Sequence, residues 1–177
     1  MARRVFFSFH FKHDIFRANQ VRNANVVAGP DVAGFFDHSE YEDAKKRGTD
    51  AIRRMILRHL DNTTVTVVLI GKFTASRPWV QEEIAESIKR KNGLLGIYVH
   101  HLWAPSDPPA TLLTSIAALQ LPPRPIVPAH IYFPAYQWDQ DVRRFATAIE
   151  DAGRHAEAWR NSSLRALFPP LASRFRS

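Results

Sequence analysis

Thr64-Val-Thr-Val-Val-Leu-Ile-Gly-Lys-Phe-Thr-Ala-Ser-Arg-Pro-Trp-Val-Gln-Glu-Glu-Ile-Ala-Glu-Ser-Ile88 is the stretch whose reading decides the fold. Its first part, Thr64 to Ile70, is a β-branched apolar run without Gly or Pro. Such a run reads as a strand buried on both faces, in the middle of a parallel sheet. Gly71 ends it, and a short polar loop follows. Ser76 and Pro78 then supply helix-start chemistry: a side-chain cap for orphan N–H groups, and a ring that needs no N–H of its own. Val80, Ile84 and Ile88 recur at four-residue spacing and predict the face that packs on the sheet. Trp79 and Glu83 are also four apart, on a neighbouring stripe. An indole and a carboxylate are therefore expected side by side near the end of a central strand, where open α/β sheets place their ligands.

Working outward, Thr49 or Asp50 opens a preceding helix. Its Ile52, Met55, Ile56, Leu57 and Leu60 make a wide apolar stripe, closed by Asp61-Asn62. Farther back, Arg4 to Phe9 is a first strand, and a helix runs from about Asp14 to Asn23 with Asp14 as its cap. Asn23 to Gly34 reads as a loop around Gly29-Pro30-Asp31. Ala33 to Asp37 is a short strand candidate, and His38 to Lys46 a polar, charged segment. In the other direction, Asn92-Gly93 stops the helix that holds Glu83, and Leu94 to Val99 is a further strand. This alternation with short connections argues for the α/β class: a flavodoxin-like, three-layer arrangement with a mainly parallel central sheet flanked by helices.

Beyond His100 the pattern loosens. Seven prolines fall between Pro105 and Pro128, which predicts an irregular Pro-rich insertion over 103–138. A short helix near Leu112 to Leu119 and an edge strand within Ile126 to Phe133 are expected there, since Pro128 argues against a central strand. Asp139 to Asp151 reads as a helix with Val142, Phe145, Ala146 and Ile149 on one face, stopped by Gly153. The domain expectation is one unit over 1–153 and a basic tail over 154–177.

Composition removes several functions. The chain of 177 residues contains no cysteine, which excludes disulfide frameworks, thiolate metal sites and cysteine nucleophiles. The run Val5 to Phe9 is too short for a signal-peptide core, and no stretch approaches the apolar length that spans a bilayer. A cytoplasmic location without membrane attachment is the expectation. Lys and Arg number 24 against 17 Asp and Glu, a formal charge of +7, which favours anionic partners. The excess is spread over helices and a tail holding Arg154, Arg160, Arg165, Arg174 and Arg176. No basic run interleaved with aromatics accompanies it, so nucleic acid is not the expected partner.

Motif chemistry narrows the field further. There is no GxGxxG or GxxxxGK[ST] loop for phosphates. A receiver-type acidic pair is missing, since Ser8-Phe9-His10 and Gly71-Lys72 occupy its places. The pairs His10/His13 and His100/His101 have no helical HExxH partner, so no metal site is expected. Ser-His-Asp hydrolysis lacks its Gly-x-Ser-x-Gly elbow. Glu83 is what is left. A solvated helix glutamate is the ordinary account of such a residue. Against it stand Trp79 one turn earlier and the position after a central strand. A carboxylate beside aromatic surface can meet a sugar hydroxyl and a developing oxocarbenium ion, as cleavage of an N-glycosidic bond demands. Glu82 points about 100° away around the helix; the residues alone leave open a swap between the two.

Val5-Phe-Phe-Ser-Phe-His resembles the first-strand signature of TIR domains. Ser76-Arg-Pro-Trp-Val-Gln-Glu-Glu-Ile is similar to their Ser-x-x-Trp-(Cys/Val)-x-x-Glu-(Leu/Ile) box. The nearer resemblance is to the TIR-like ThsB proteins of Thoeris antiphage systems. It is carried also by Val21-Arg-Asn, Phe36-Asp, Tyr41-Glu-Asp-Ala-Lys-Lys and Asn62-Thr-Thr-Val-Thr-Val-Val-Leu-Ile-Gly, and covers about residues 3–100. The resemblance implies an enzyme that uses NAD+ as substrate, with no separate cofactor. It would break the nicotinamide–ribose bond and make a cyclic or otherwise modified ADP-ribose signal for a partner effector. Carried over by motif, Glu83 is the catalytic residue, while Phe7, Ser8, Phe9, Phe36, Asp37 and Trp79 are expected pocket walls. Core packing is the competing account for Phe7 and Phe36. A homo-oligomer is among the expected assemblies. The alternative function is a non-catalytic assembly module with the segment Glu40 to Arg47 as a contact.

Overall fold

Four strands build the centre: β1 (Val5–Phe9), β2 (Val65–Ile70), β3 (Gly93–Tyr98) and β4 (Ala135–Gln137). They lie in the order β1-β2-β3-β4, every neighbouring pair parallel. The computed structural model describes residues 3–23, 38–105 and 121–167. The helices are α1 (Phe11–Asn23), α2 (His38–Lys46), α3 (Thr49–Leu60), α4 (Pro78–Lys89) and α5 (Val142–Leu167), with a 3₁₀ turn at Thr74–Ser76. Among the described residues three helices separate β1 from β2 and one separates β2 from β3, and β2 is buried along its whole length between two parallel neighbours. The expected α/β architecture, a parallel central sheet flanked by helices, is what the chain adopts.

The pleat sorts the core into two layers, because successive side chains leave a strand on opposite faces. Val5, Phe7, Phe9, Val67, Leu69, Leu95 and Ile97 face one way, into a cluster with Ala18 and Val21 of α1 and Phe145, Ile149 and Ala152 of α5. On the other face, Phe6 meets Ile52, Met55 and Ile56 of α3. Beside it, Val68, Ile70 and Leu94 meet Val80 and Ile84 of α4. Helices thus cover both sides of the sheet, and the helix carrying Glu83 lies on the second.

Several local expectations need correction. Ser76 does not cap α4: its hydroxyl donates back to the Phe73 carbonyl, Arg77 is the N-cap, and no side chain caps the helix. Pro78 does occupy the first turn. Nor does Asp14 cap α1, which starts at Phe11, directly after β1. Asp14 is turned inward and 1% exposed. It accepts hydrogen bonds from Arg17 at 3.1 Å and from Thr74 at 3.4 Å. Burial pushes its carboxyl above the usual range, and Arg17 pulls it back. Gly71 is required at this point, since a Cβ there would come within 2.2 Å of the Asp14 carboxylate.

The edge strand is not within Ile126 to Phe133 but follows it, at Ala135–Gln137, where the chain passes the last of its closely spaced prolines. His38–Lys46 is helical rather than merely polar. Gly153 does not stop the last helix; α5 continues through it to Leu167. A Cβ at this glycine would fall 2.5 Å from Arg3 Nε, so the arginine, whose guanidinium bridges Glu150 and Glu157 across the helix, would have to shift. The 153/154 division therefore falls inside a continuous helix. The expected strand Ala33 to Asp37 and helix Leu112 to Leu119 lie outside the described residues. Among the described residues, no helix is long and apolar enough to cross a membrane.

Candidate active site

Ser8 is the only polar residue of β1, and the pleat turns it toward α4, opposite to Phe7 and Phe9. There its hydroxyl donates to Glu83 Oε2 at 2.5 Å. Glu83 is 4% exposed, and among the described residues no cation pairs with its carboxyl. Burial therefore pushes the group up to about 8, opposed only by the Ser8 hydrogen bond. A carboxyl held at that value is neutral in most empty molecules near pH 7. It ionises readily once positive charge arrives beside it.

The helix is fixed under this carboxyl by a second polar contact. Ser87, one turn on, donates to the Glu83 carbonyl at 2.7 Å, and Thr66 of β2 lies 2.7 Å from the Ser87 hydroxyl. All of these groups are buried. Strand and helix are thus joined by hydrogen bonds at two successive levels, which sets the height of α4 on the sheet.

Glu83 lines a cavity of about 770 Å³ between α1, α2 and the start of α4. The volume is that of a small-molecule site. Phe9, Phe11, Tyr41 and Trp79 give it flat apolar walls, with the Phe11 and Tyr41 rings stacked at 5.5 Å. His10, Lys12, Lys45 and Arg77 give it positive charge, and Glu42 stands near Lys45. His10 is held down to about 4 by burial first, then by Arg77, His13 and Lys12, so it is neutral at physiological pH. A buried carboxyl without a cationic partner at the wall of an aromatic-lined recess suits stabilisation of a cationic sugar intermediate.

Of the residues expected at the site, the fold brings together Ser8, Phe9, Trp79 and Glu83. Phe7 lies on the opposite face of the sheet, against Phe145 at 6.4 Å, in the core. Phe36 and Asp37 lie outside the described residues. Glu82 is bound to Arg53 of α3 at 2.9 Å and is not among the cavity-lining residues. Within the segment Glu40 to Arg47, Glu40 is held by Arg58 and His59 of α3. Lys12, Arg77, Phe11 and Tyr41 were not among the residues expected in the pocket. Arg77 could have been found from its place two residues before Trp79. Tyr41 stands in one of the motifs that carry the resemblance, but nothing in the residues places α2 at the cavity, which it reaches through packing.

Among the described residues no cluster of three His, Asp or Glu side chains could hold a metal ion. The family described as "Thoeris protein ThsB, TIR-like domain" matches residues 6–103. A curated relative from Bacillus cereus (strain MSX-D12), named "Putative cyclic ADP-D-ribose synthase ThsB1", is 49% identical over 102 residues. That alignment covers 56% of this chain and 53% of the relative, so the chain spans about half the length of the curated protein it matches. The matched segment runs from within β1 through α1 to α4, β2 and β3, and so includes Ser8, Trp79 and Glu83. With more than half of its length matched to that family, the chain belongs to the TIR-like domain family of the Thoeris protein ThsB.

Proposed function

We propose that the protein cleaves NAD+ at the nicotinamide–ribose bond and converts the ADP-ribosyl part to a cyclic ADP-ribose-type signal. That signal acts on a partner effector in a Thoeris-type antiphage response. The observation that carries this reading is the isolated Glu83 carboxyl, buried at the cavity wall beside Trp79 and bonded to Ser8. The relative's name, a cyclic ADP-D-ribose synthase, supports the same chemistry.

NAD+ brings a cationic nicotinamide. Its arrival beside Glu83 favours the carboxylate, because an opposite charge lowers the pKa of a buried acid. As the C–N bond lengthens, positive charge moves from the pyridinium onto the ribose ring. The bonding pair leaves with nicotinamide as a neutral molecule. Glu83 then faces an oxocarbenium-like sugar from a buried position, where a fixed carboxylate counts for far more than in water. Ser8 holds one carboxylate oxygen, leaving the other for the sugar. Trp79 supplies a flat wall and excludes water, which favours attack on C1 by the molecule's own adenine over hydrolysis.

The test is nicotinamide release from NAD+, with purified protein and with extract from phage-challenged cells. Glu83→Gln keeps shape and hydrogen bonding but not charge. Its rate is expected to fall at least about a hundredfold, the scale of losing a principal electrostatic contact.

A further inference from the structure

The cavity beside Glu83 carries more positive charge than its carboxylates offset. Arg77, the residue before α4, and Lys12 of α1 both line it. Arg77 Nε is buried with no hydrogen-bond partner. Neither residue has an ion-pair partner among the described residues, whereas Lys45 is matched by Glu42 at 3.6 Å. Both cations act on His10, which lies within their field and is neutral. The one carboxyl deep in the cavity does not cancel them, being hydrogen-bonded to Ser8 instead. The uncapped start of α4 adds the positive end of a helix dipole on the same side.

Two unpaired cations in an aromatic-walled recess meet the demands of a doubly charged, multi-oxygen anion. A planar guanidinium can hold two phosphate oxygens at once, and an ammonium can add a point charge. We infer that Arg77 and Lys12 form a diphosphate subsite, which takes the bridge of a dinucleotide while Glu83 and Trp79 take its ribose and nicotinamide. The anion site stands on the cations themselves; the dinucleotide assignment rests on the NAD+ reading above. Binding energy gathered at the bridge then positions the distant glycosidic bond. A substrate without phosphates lacks that hold.

The experiment is calorimetric titration with ADP, which has the diphosphate but no nicotinamide bond to cleave, and with adenosine as the uncharged comparison. Wild type should bind ADP more tightly than adenosine. Arg77→Gln and Lys12→Gln should each weaken ADP by about tenfold, the scale of a charge-assisted hydrogen bond. Neither should change adenosine binding, and Glu83→Gln should bind ADP as wild type does. Turnover supplies the second arm. Arg77→Gln should raise KM for NAD+ about tenfold more than it raises KM for nicotinamide riboside, which lacks the diphosphate. Equal ADP affinity in wild type and Arg77→Gln, or wild-type ADP binding no tighter than adenosine, overturns the subsite. If neither NAD+ nor nicotinamide riboside releases nicotinamide while ADP binding still depends on Arg77, the subsite stands and the NAD+ reading falls.

Discussion

At the scale of single residues, the account turns on a carboxyl that is costly to ionise in the empty fold. Glu83 is raised from 4.5 to about 8. Between those values the folded protein holds a proton that the unfolded chain has lost. Its contribution to stability is complete below about 4.5, declines as pH rises, and is gone above about 8. Glu83→Gln has no such titration. Its stability should therefore exceed that of wild type by an amount that grows from pH 6 to about 8 and then levels off, on the order of a few kcal/mol at the alkaline end. Thermal denaturation of the two proteins across that range measures it, and parallel curves would contradict the assignment.

Ser8 offers a second check at the same scale. Its hydrogen bond lowers the carboxyl, so Ser8→Ala should raise the pKa of Glu83 further. The acid limb of the pH–rate profile for nicotinamide release should move to higher pH in that variant. A loss of rate with no movement of the limb would show Ser8 doing something other than holding the carboxyl.

At the scale of elements, the site depends on how α4 is seated after β2. Gly71 closes the strand against Asp14 of α1, with the Gly71 N–H donating to Thr74 at 2.9 Å. A methyl group added there must push into a buried, ion-paired carboxylate. Gly71→Ala should cost about 1–3 kcal/mol, the usual scale of overpacking, readable as a lower denaturation midpoint in urea.

The strand and helix of this seat were legible because their periodicities are strong: an unbroken β-branched run, then apolar residues every fourth position. The Trp79/Glu83 stripe was legible for the same reason. What the sequence could not show were features made by packing across long separations. Asp14 looks like a helix cap until the loop after β2 is placed against it. Gly153 looks like a helix stop until Arg3, far away in the chain, is seen to pack over it. Phe7 and Phe9 are alike in sequence, yet Phe7 lies in the core against Phe145 while Phe9 also lines the cavity. The Ser8–Glu83 bond joins residues 75 positions apart, and no local pattern announces it.

At the scale of the whole molecule, α5 ties the C-terminal part of the chain to both the first residues and the sheet. Ala156 is 3% exposed, Arg160 donates to the Lys91 carbonyl at 2.7 Å, and Glu157 pairs with Arg3. These contacts all lie beyond Gly153. A chain ending at Gly153 should be less stable than one ending at Leu167 by about 2 kcal/mol or more, a fall of roughly 4–8 °C in melting temperature. Equal melting temperatures would show the second half of α5 to be dispensable to the fold.

The molecule's formal charge of +7 also has a place in this account. It draws anionic ligands toward the protein, and Lys12 and Arg77 concentrate that attraction at the cavity. The proposed chemistry rests on a single group, Glu83. Nicotinamide release from NAD+ by wild type and by Glu83→Gln, with matched circular dichroism and in a preparation where wild type is active, tests this most directly. The account predicts steady release by wild type and a loss of at least about a hundredfold in the variant; release by Glu83→Gln at the wild-type rate would contradict it.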